Sequence, residues 1–536
     1  MQNNLFDVAV VGFGPVGQLL SMLLARKGHS VLVIERWPEV YPQPRAVCYD
    51  HEIRRVLESQ GLRESIDPLS RQGCLYQWFN ADWELLTQFD WTAKSISGGP
   101  FGYFFNQPEL ELMLSERAAQ YPNVTLRRGW ELTELQTGEQ QCELHLRTTA
   151  GIQPDQPQQH ENLSARYVIG ADGANSFVRK AMGVQWNDLG FSEDWLVVDV
   201  RPKNGFIVDV PDFAQWCNPS RPTTMVPGGP INRRWEFMRL PGESLEQLQS
   251  DEQVWSLLSR WIKPEQGELL RKTVYNFRSL IASEWRKGRV MLAGYAAHLM
   301  PPFMGQGMCT GMRDAFNLAW KLDFILQGRT GEQILDDYMP ERRAQVEATI
   351  GASVTMGKVV CVSDPVLAAE RDRAFFANEV AQPQPFPPIP EGLIFRNRDG
   401  SQGKLAGTLG IHGEVRYQQQ LHNVDQLSVG GFQLLTFAAR GALALSAAER
   451  AIIDAQDIEI IHLRRAGVED ANAWVDESGR YAEYFDQHRI TALLVRPDFY
   501  VFGAADAQCS ISTLLARLAQ GLGLALVEES VALAAH

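Results

Sequence analysis

Residues 6–36 read FDVAVVGFGPVGQLLSMLLARKGHSVLVIER, and this stretch decides the fold. An apolar run at 8–11 leads into a glycine turn at 12–17. A helical pattern follows to Gly28, and a second apolar run ends on Glu35. Strand, glycine turn, helix, strand and acid in this order predict the βαβ unit that binds a dinucleotide. The alternative, a glycine-punctuated loop, explains neither the two strands nor the acid.

Each glycine of the turn has a predicted mechanical role. Gly12 permits the tight turn, Gly14 lets the backbone approach a pyrophosphate, and Gly17 lets the helix pack closely on the strand. Pro15 and Val16 lie where the helix begins, and its free N–H groups and positive dipole end favour phosphate. The turn therefore predicts the pyrophosphate site.

Glu35 marks the predicted ribose site, with Arg36 beside it. A carboxylate about twenty residues after the glycine turn can accept hydrogen bonds from both ribose hydroxyls. Its negative charge favours an unphosphorylated ribose, so the sequence predicts NAD or FAD here rather than NADP.

The composition is that of an ordinary globular protein. The chain has 536 residues, of which 45% are hydrophobic and 21% charged, and its net charge is −14. This length predicts two or three domains. The acidic balance argues against nucleic acid or an anionic membrane as partners. No apolar stretch is long enough to span a bilayer, and the apolar N-terminus lacks the basic leader of a signal peptide.

The seven cysteines are scattered, without a CxxC pair or metal-type spacing. They are predicted to be reduced thiols of a cytoplasmic protein, and no metal site is expected. Because the C-terminal part has no redox CxxC, a structural or oligomerising role is expected for it. A homodimer is compatible with the sequence.

The pattern of elements divides the chain into four parts. A dinucleotide-binding domain with following helices covers 1–190 and 281–380, and a β-rich substrate domain covers 191–280. The proline-rich run AQPQPFPPIP predicts a connector over 381–395. Residues 396–536 alternate strands and helices, which predicts a small α/β domain.

Two further glycine motifs follow the first. The sequence GADGANSFVR at 170–179 is typical of a strand that ends near Asp172 and is followed by a helix. The sequence GYAAH at 294–298 is followed by two prolines and then by GQGMCTGMRDA at 305–315, which opens a long helical pattern.

In this order the three motifs resemble those of the single-component FAD aromatic hydroxylases, the group that includes p-hydroxybenzoate hydroxylase and phenol hydroxylase. Within the group, the sequence is most similar to the 3-(3-hydroxyphenyl)propionate hydroxylases. The likeness covers about residues 5–350 and continues more weakly through the C-terminal part. It implies an α/β fold with a Rossmann-like FAD-binding domain, an inserted β-rich substrate domain and a C-terminal thioredoxin-like domain.

The resemblance implies FAD contacts at particular positions of this chain. The implied positions are Gly12, Gly14, Pro15, Val16, Gly17, Glu35, Arg36, Arg45, Gln107, Asp172, Tyr295, Pro302, Gly305, Gln306, Gly307, Met308 and Cys309. Arg45 and Gln107 match residues that touch the ribityl–pyrophosphate region, and Asp172 matches a motif linked to both FAD and NAD(P)H. The resemblance also implies that the run from Gly305 to Cys309 lies at the isoalloxazine ring. The N-terminus of the helix that follows is then expected to stabilise negative charge on reduced flavin.

Tyr295 departs from the family pattern, because the third motif usually reads Gly-Asp. A phenol can form hydrogen bonds but brings bulk and no charge, so weaker FAD binding is expected. Cys309 stands where many relatives have Asn, and the GQGMC run matches a variant of this branch.

Candidate residues for catalysis and substrate binding are few. His298 is a weak catalytic candidate, and the alternative is a structural histidine beside the turn. Trp235 and Phe237 alternate with charged residues and leave one strand face free to line a substrate pocket together with Met304. The alternative for the two aromatic residues is the protein core.

The resemblance implies an FAD-dependent monooxygenase that hydroxylates a small phenolic aromatic such as 3-(3-hydroxyphenyl)propionate. NADH or NADPH reduces the flavin, and O2 then forms a flavin C4a-hydroperoxide that the electron-rich ring attacks. The cofactor supplies the difficult chemistry, while the protein supplies orientation and charge placement. No residue is identified as the base that deprotonates the phenol.

Three alternatives remain. The first is a polyketide- or antibiotic-type flavin hydroxylase that acts on a larger aromatic, and pocket size distinguishes it. The second is a non-catalytic scaffold whose FAD binding is impaired by Tyr295. An NAD-dependent dehydrogenase is disfavoured because it explains neither the second nor the third motif.

Overall fold

The opening stretch forms the centre of an eight-stranded sheet. The computed structural model describes residues 5–149, 158–380, 387–427, 430–467 and 474–524. The strands of this sheet are, in spatial order, Arg286–Lys287, Val290–Leu292, His160–Gly170, Leu5–Val11, Val31–Glu35 and Val124–Arg128, with Cys142–Thr148 paired to His160–Gly170 and Trp130–Thr137 paired to Cys142–Thr148.

The middle strands are parallel and buried on both faces. Val8, Ala9 and Val10 have no exposed surface because helices cover the sheet, as is usual for parallel strands. Helix Pro15–Arg26 packs against helices Gln107–Ala119 and Gly307–Leu326. The carboxyl ends of parallel strands lie at one edge of the sheet, which brings the three glycine motifs together.

The second sheet is mixed and mostly antiparallel. Its strands are, in spatial order, His298–Leu299, Gly267–Ala282, Trp186–Pro202, Asn232–Met238, Thr223–Gly228, Phe213–Trp216, Leu75–Phe79 and Leu85–Asp90. The sheet is therefore not built from 191–280 alone, because Phe213–Trp216 takes Leu75–Phe79 as a parallel partner. Such distant pairing leaves no local signal in the sequence.

The C-terminal part contains a seven-stranded sheet. Its strands are, in spatial order, Gln420–Asn423, Glu414–Tyr417, Trp474–Asp476, Glu459–Arg465, Gln433–Thr436, Ala492–Val495 and Val501–Ala505. A small third sheet joins Cys48–Asp50, Gly102–Phe105 and Ser70–Gln72. The other helices are His51–Ser59, Arg63–Ile66, Phe177–Ala181, Leu245–Leu248, Asp251–Leu258, Tyr338–Val360, Pro365–Phe376, Val424–Leu427, Ala447–Gln456, Arg480–His488 and Ile511–Gly521, and short 3-10 turns cover Gly294–Ala296, Pro302–Met304 and Glu332–Asp337.

The predicted connector over 381–395 falls partly outside the described residues, which exclude 381–386. From Ile389 onward the chain is packed, since Ile389 is buried and its N–H donates to the Gly407 carbonyl at 2.8 Å. Leu393 and Phe395 also lie in the C-terminal core. The C-terminal unit therefore begins several residues before the predicted 396.

All seven cysteines lie in described positions and are free thiols. Among the described residues, no single helix is long and apolar enough to cross a membrane. One bent pair, residues 332–360 with Pro365–Phe376, meets that test only by length and composition.

A buried charge cluster fixes the C-terminal part to the long helices. Arg496, in the turn after Ala492–Val495, donates to Glu341 at 2.7 Å and to Asp498 at 2.6 Å. Lys321 donates to the same Glu341 at 2.6 Å. These side chains are at most 2% exposed, so the charges can neutralise only one another.

Glu341→Gln should destabilise the protein by about 3–5 kcal/mol, because it leaves two buried cations without a full partner. Burial alone would raise the pKa of Glu341, but Arg496 and Lys321 together lower it well below its usual range. The stabilisation is therefore complete above the ordinary glutamate pKa of about 4.3 and is lost as the pH falls below it. Urea unfolding of both proteins across pH measures the difference.

Glu347→Gln is the control on the same helix. Glu347 pairs with Arg343 at 2.7 Å on the surface, and such pairs contribute about 0.5 kcal/mol or less. An equal loss in the two variants would contradict the account of the buried cluster.

Candidate functional site

The first glycine motif forms a turn that only glycine can adopt at two positions. Gly12 has a φ of +100°, and a Cβ there would lie 2.4 Å from the Ala171 carbonyl oxygen. A Cβ at Gly17 would lie 2.0 Å from the Gly12 carbonyl oxygen. At Gly14, by contrast, a Cβ would meet no heavy atom within 4 Å apart from its chain neighbours. The turn is closed on the protein side and open in front of the helix that begins at Pro15.

That open space lies at an uncapped helix N-terminus. Helix Pro15–Arg26 has no side-chain cap and no acidic residue in its first turn. Its first N–H groups are therefore available to an anion. This arrangement fits a pyrophosphate at the position that the sequence predicts.

Glu35 holds the turn from the side of the second strand. Its Oε2 accepts a hydrogen bond from the Phe13 N–H at 2.7 Å, and its Oε1 accepts one from the Trp37 N–H at 2.8 Å. Carboxylate oxygens keep further lone pairs, so the predicted ribose contact is compatible with these bonds. The Arg36 side chain is exposed beside it.

Arg128 is a residue of this site that the sequence analysis missed. It lies opposite Glu35 in the neighbouring strand, and its guanidinium is 5.2 Å from the centre of the Phe13 ring. Burial lowers the pKa of Arg128, and the charge of Glu35 opposes this shift. Its position at the end of Val124–Arg128 was the one available signal, because strand ends in this sheet point to the site.

Of the two carboxylate oxygens of Asp172, Oδ2 accepts hydrogen bonds and Oδ1 accepts none from the described residues. Its Oδ2 accepts from the N–H groups of Phe177 at 2.7 Å and Val178 at 3.2 Å. Its Oδ1 is buried and has no hydrogen-bond partner among the described residues. Burial raises the pKa of Asp172, although the hydrogen bonds oppose the shift. An open buried acceptor beside the glycine turn fits the predicted contact with a bound cofactor.

The third motif packs against the first through small residues. Gly294 has a φ of +60°, and a Cβ there would lie 3.0 Å from the Val16 side chain. A Cβ at Gly311, one turn into helix Gly307–Leu326, would lie 2.9 Å from the Gly294 Cα. The glycines let helices Pro15–Arg26 and Gly307–Leu326 approach each other at their N-terminal ends. We call the space in front of these two helix starts the cleft.

His298 supports this convergence and does not face the cleft. It has no exposed surface, and its Nε2 lies 2.6 Å from Asp314 Oδ2. The same Asp314 oxygen accepts the Gly294 N–H at 3.0 Å, and its other oxygen accepts from Arg342 at 3.0 Å. The prediction of a catalytic role for His298 is wrong, because the residue is a buried part of the turn.

The loop before the long helix is tightly held. Pro302–Met304 forms a 3-10 turn, and Gly305 follows with a φ of +64°. A Cβ at Gly305 would lie 2.3 Å from the Cys48 sulfur. Burial raises the pKa of Cys309 far above its usual value, so this thiol stays protonated and is not a nucleophile.

Helix Gly307–Leu326 begins at this loop without a side-chain cap and without an acid in its first turn. Its N-terminal N–H groups, among them those of Gly307 and Met308, therefore favour a negative group in the cleft. Gln306, just before the helix, accepts from Arg313 at 3.2 Å, which anchors the loop from behind.

Tyr295 lies at this helix N-terminus. A Cβ at Gly307 would be 2.1 Å from the Tyr295 Oη, so the phenol rests directly on the helix start. Tyr295 is 39% exposed, and the protein groups packed around the phenol raise its pKa while the nearby Arg45 charge opposes the shift. The phenol is therefore neutral at physiological pH and brings no charge to the cleft.

Gln107 anchors the loop that precedes strand Cys48–Asp50, and its contact with FAD stays a prediction. Its Oε1 accepts the N–H groups of Arg45 at 3.0 Å and Ala46 at 2.5 Å, and its Nε2 donates to Glu111 at 2.5 Å. Gln107 therefore fixes the backbone of the loop that carries Arg45, while the Arg45 side chain itself is exposed.

Trp235 and Phe237 do not line the cleft. They are 0% and 1% exposed and lie in the apolar cluster that includes Val254 and Leu258 of helix Asp251–Leu258. This helix covers their face of the sheet, so the prediction that they form the substrate pocket is wrong. The opposite face of the same strand carries Met238, which clusters with Phe303 of the loop before Gly305.

The described residues fit FAD. An open space at Gly14, an open carboxylate oxygen on Asp172 and an uncapped helix start at Gly307 lie around one cleft. These features match a long ligand with a central pyrophosphate and a ring that develops negative charge. Tyr295 lies against Gly307 at one end of this cleft, and it brings a phenol where the sequence comparison predicts a carboxylate.

Comparisons with known proteins give two family matches. Residues 6–353 match the family described as FAD binding domain, and residues 407–521 match the family described as HcaD C-terminal domain. The first match spans all three glycine motifs.

Similar proteins cover nearly the whole chain. A probable NADH-specific resorcinol 4-hydroxylase of Rhodococcus jostii (strain RHA1) is 35% identical, over 96% of this chain and 94% of that protein. A 3-(3-hydroxy-phenyl)propionate/3-hydroxycinnamic acid hydroxylase of Shigella sonnei (strain Ss046) is 29% identical over the same shares. A crystal structure of aklavinone-11 hydroxylase with FAD and aklavinone superposes with a TM-score of 0.76 at 24% identity, over 97% of this chain and 99% of that one.

Gly14→Ala and Gly17→Ala should separate cofactor binding from folding. Gly14 has a φ of −75°, so alanine fits the apoprotein, but its methyl group fills the space in front of the helix. We expect unchanged or slightly higher apoprotein stability and FAD binding weakened about tenfold or more. Gly17→Ala should destabilise the apoprotein by about 1–3 kcal/mol or more, because its Cβ meets a carbonyl oxygen.

Thermal unfolding of the apoproteins and fluorescence titration with FAD measure the two effects. If Gly14→Ala binds FAD as tightly as the natural sequence, the pyrophosphate does not lie against this turn.

Proposed function

The chain belongs to the FAD binding domain family, and on that premise we propose that it is an NADH-dependent monooxygenase of a single-ring, meta-substituted phenol. The match over residues 6–353 and the relative at 35% identity confirm the predicted FAD-dependent aromatic hydroxylase and its α/β fold. The substrate and the choice of NADH are our proposals.

The names of the relatives support the substrate class. Resorcinol, 3-(3-hydroxyphenyl)propionate and 3-hydroxycinnamic acid are the compounds in those names, and each is a phenol with a second group in the meta position. The name of the first relative specifies NADH. A 3-(3-hydroxyphenyl)propionate-like substrate, as predicted from the sequence, falls within this class.

The observation that carries the proposal is an aromatic cluster beside residues 302–306, the loop before helix Gly307–Leu326, which we call the cofactor loop. Phe303, two residues before Gly305, has Trp195 at 5.6 Å, Phe191 at 5.9 Å and Phe277 at 6.2 Å between ring centres. These rings come from the second sheet and meet the loop in edge-to-face geometry. Such a cluster offers an apolar environment for an aromatic ring next to the flavin site.

FAD and three parts of the chain have different roles in the proposed reaction. FAD, when bound, supplies hydride acceptance from NADH and the activation of O2. The glycine turn at Gly14 holds the pyrophosphate end, and the helix start at Gly307 stabilises negative charge at the other end. The aromatic cluster around Phe303 orients the substrate ring and keeps water away from it.

The cellular compartment of the protein can be proposed from its free thiols. Seven free cysteines fit a reducing compartment, so we propose the cytoplasm. O2 is the proposed second substrate, and a homodimer remains a prediction.

Purified protein should be yellow and should oxidise NADH faster when a suitable phenol is present. The panel contains resorcinol, 3-(3-hydroxyphenyl)propionate and 3-hydroxycinnamate, each with NADH and NADPH, and product is identified by mass spectrometry. We expect stimulation with at least one of these phenols, one added oxygen atom per NADH and a preference for NADH. A flavin spectrum without stimulation by any of them would overturn the proposed substrate class.

Tyr295 favours one alternative, a scaffold that binds FAD poorly. A protein that stays colourless with excess FAD would support it and overturn the monooxygenase proposal. Tyr295→Asp then locates the cause, because a carboxylate that gains a hydrogen bond contributes about 1.5–3 kcal/mol. Stimulation by a larger polycyclic aromatic alone would support the antibiotic-type alternative.

A further inference from the structure

Strand Asn232–Met238 turns one face toward the cofactor loop. Residues directly opposite each other in an antiparallel pair share a face, and Glu236 lies opposite Val197, with Met238 opposite Trp195. Met238 and Trp195 belong to the cluster around Phe303. Glu236 therefore lies on the face of the sheet that meets the aromatic cluster.

Arg234, on the same face, ties this strand to the loop that carries Arg45. Its guanidinium donates to the carbonyl oxygens of Arg45 at 2.6 Å and Pro44 at 2.7 Å. It also donates to both oxygens of Asp199, at 2.7 Å and 3.0 Å. Its closest approach to a Glu236 oxygen is 3.7 Å, which is an ion contact and not a hydrogen bond.

Glu236 is thus a buried carboxylate whose ion contact with Arg234 is too long for a hydrogen bond. It is 7% exposed, and within the described part of the chain no hydrogen bond to its side chain is formed. Cys48 belongs to the same apolar cluster as Met238 and Phe303, and the charge of Glu236 contributes to raising the pKa of that thiol. The Cys48 sulfur is 3.7 Å from the Gly305 carbonyl oxygen. The open carboxylate therefore lies between the sheet and the cofactor loop.

An open donor lies in the same cluster. Arg271 is opposite Asp199 in strand Gly267–Ala282 and is 4% exposed. Its Nε and Nη1 have no hydrogen-bond partner among the described residues, and the nearest Asp199 oxygen is 3.7 Å from Nη1. Buried guanidinium groups are rarely left in this state, so a ligand is the natural acceptor.

We propose that Glu236 accepts the hydrogen bond of the substrate's phenolic hydroxyl and takes its proton, and that Arg271 stabilises the phenoxide that results. This inference rests on the proposed function. The proton moves from the phenol oxygen to a Glu236 oxygen, and the electron pair of the broken O–H bond stays on the phenol oxygen. The ring becomes more electron-rich, while NADH and O2 supply the oxidation in the established activity of the family.

The charges around Glu236 set the pH range in which it can act. Burial raises the pKa of Glu236, Arg234 and Arg271 oppose the shift, and Asp199 adds to it. The other titratable groups near it are Cys48 of strand Cys48–Asp50, Tyr76 of strand Leu75–Phe79, and Tyr275 beside Arg271. Glu236 can act as a base only when it is deprotonated. Because burial raises its pKa, kcat should decrease as the pH is lowered, with a midpoint above the ordinary glutamate pKa of about 4.3.

Glu236→Gln in the FAD-loaded enzyme tests the proposal, because it keeps size and removes the base. Resorcinol and 3-(3-hydroxyphenyl)propionate are titrated into each protein, and the phenoxide absorption band is followed by difference spectroscopy. The natural enzyme should bind phenoxide below the pKa of the free phenol, and the variant should bind neutral phenol. We expect kcat to fall about 100-fold or more and the acid limb of the pH profile to disappear.

Glu268→Gln is the matched control, since Glu268 is exposed on a strand of the same sheet. It should keep kcat, the phenoxide band and the flavin spectrum. Thermal unfolding and the flavin spectrum establish that Glu236→Gln is folded and loaded with FAD.

The outcomes separate this proposal from the proposed function. If the natural enzyme turns over a phenol while Glu236→Gln keeps both the phenoxide band and a kcat within about threefold, Glu236 is not the base. If the natural enzyme turns over no phenol, the proposed function itself fails and the assignment of Glu236 falls with it.

Discussion

The whole site depends on the close backbone contact between three turns of the chain. The Gly12 turn lies against Ala171 and against Gly17, and Val16 lies against Gly294 and Gly311. None of these approaches leaves room for a Cβ without displacement of a neighbour. The strand ends and both helix starts are thereby forced into one cleft, and the anion-binding N–H groups at its two ends keep a fixed separation.

The C-terminal part reaches the cofactor loop through a chain of side chains. Tyr500 donates to Glu52 at 3.1 Å, Arg313 donates to the other Glu52 oxygen at 2.7 Å, and Arg313 also donates to Gln306 at 3.2 Å. Together with the buried cluster at Glu341, this chain places the C-terminal part behind helix Gly307–Leu326. A domain without redox cysteines thus contributes to the rigidity of the flavin loop.

Local patterns predicted the first βαβ unit and the long helix after the third motif, because the signals for both lie within a few turns of sequence. The resemblance supplied the family and the cofactor. Distant pairing, such as that of Leu75–Phe79, could not be predicted in this way. The alternation of residues in this strand predicted two faces, one with Trp235 and one with Glu236. It did not show that helix Asp251–Leu258 would cover the Trp235 face.

A crystal structure of the protein with FAD and resorcinol tests the central claim most directly. The account predicts the pyrophosphate against Gly14, the flavin ring at the start of helix Gly307–Leu326, and a phenol oxygen within hydrogen-bond distance of Glu236. A flavin outside this cleft, or a phenol on the face of Trp235, would contradict it.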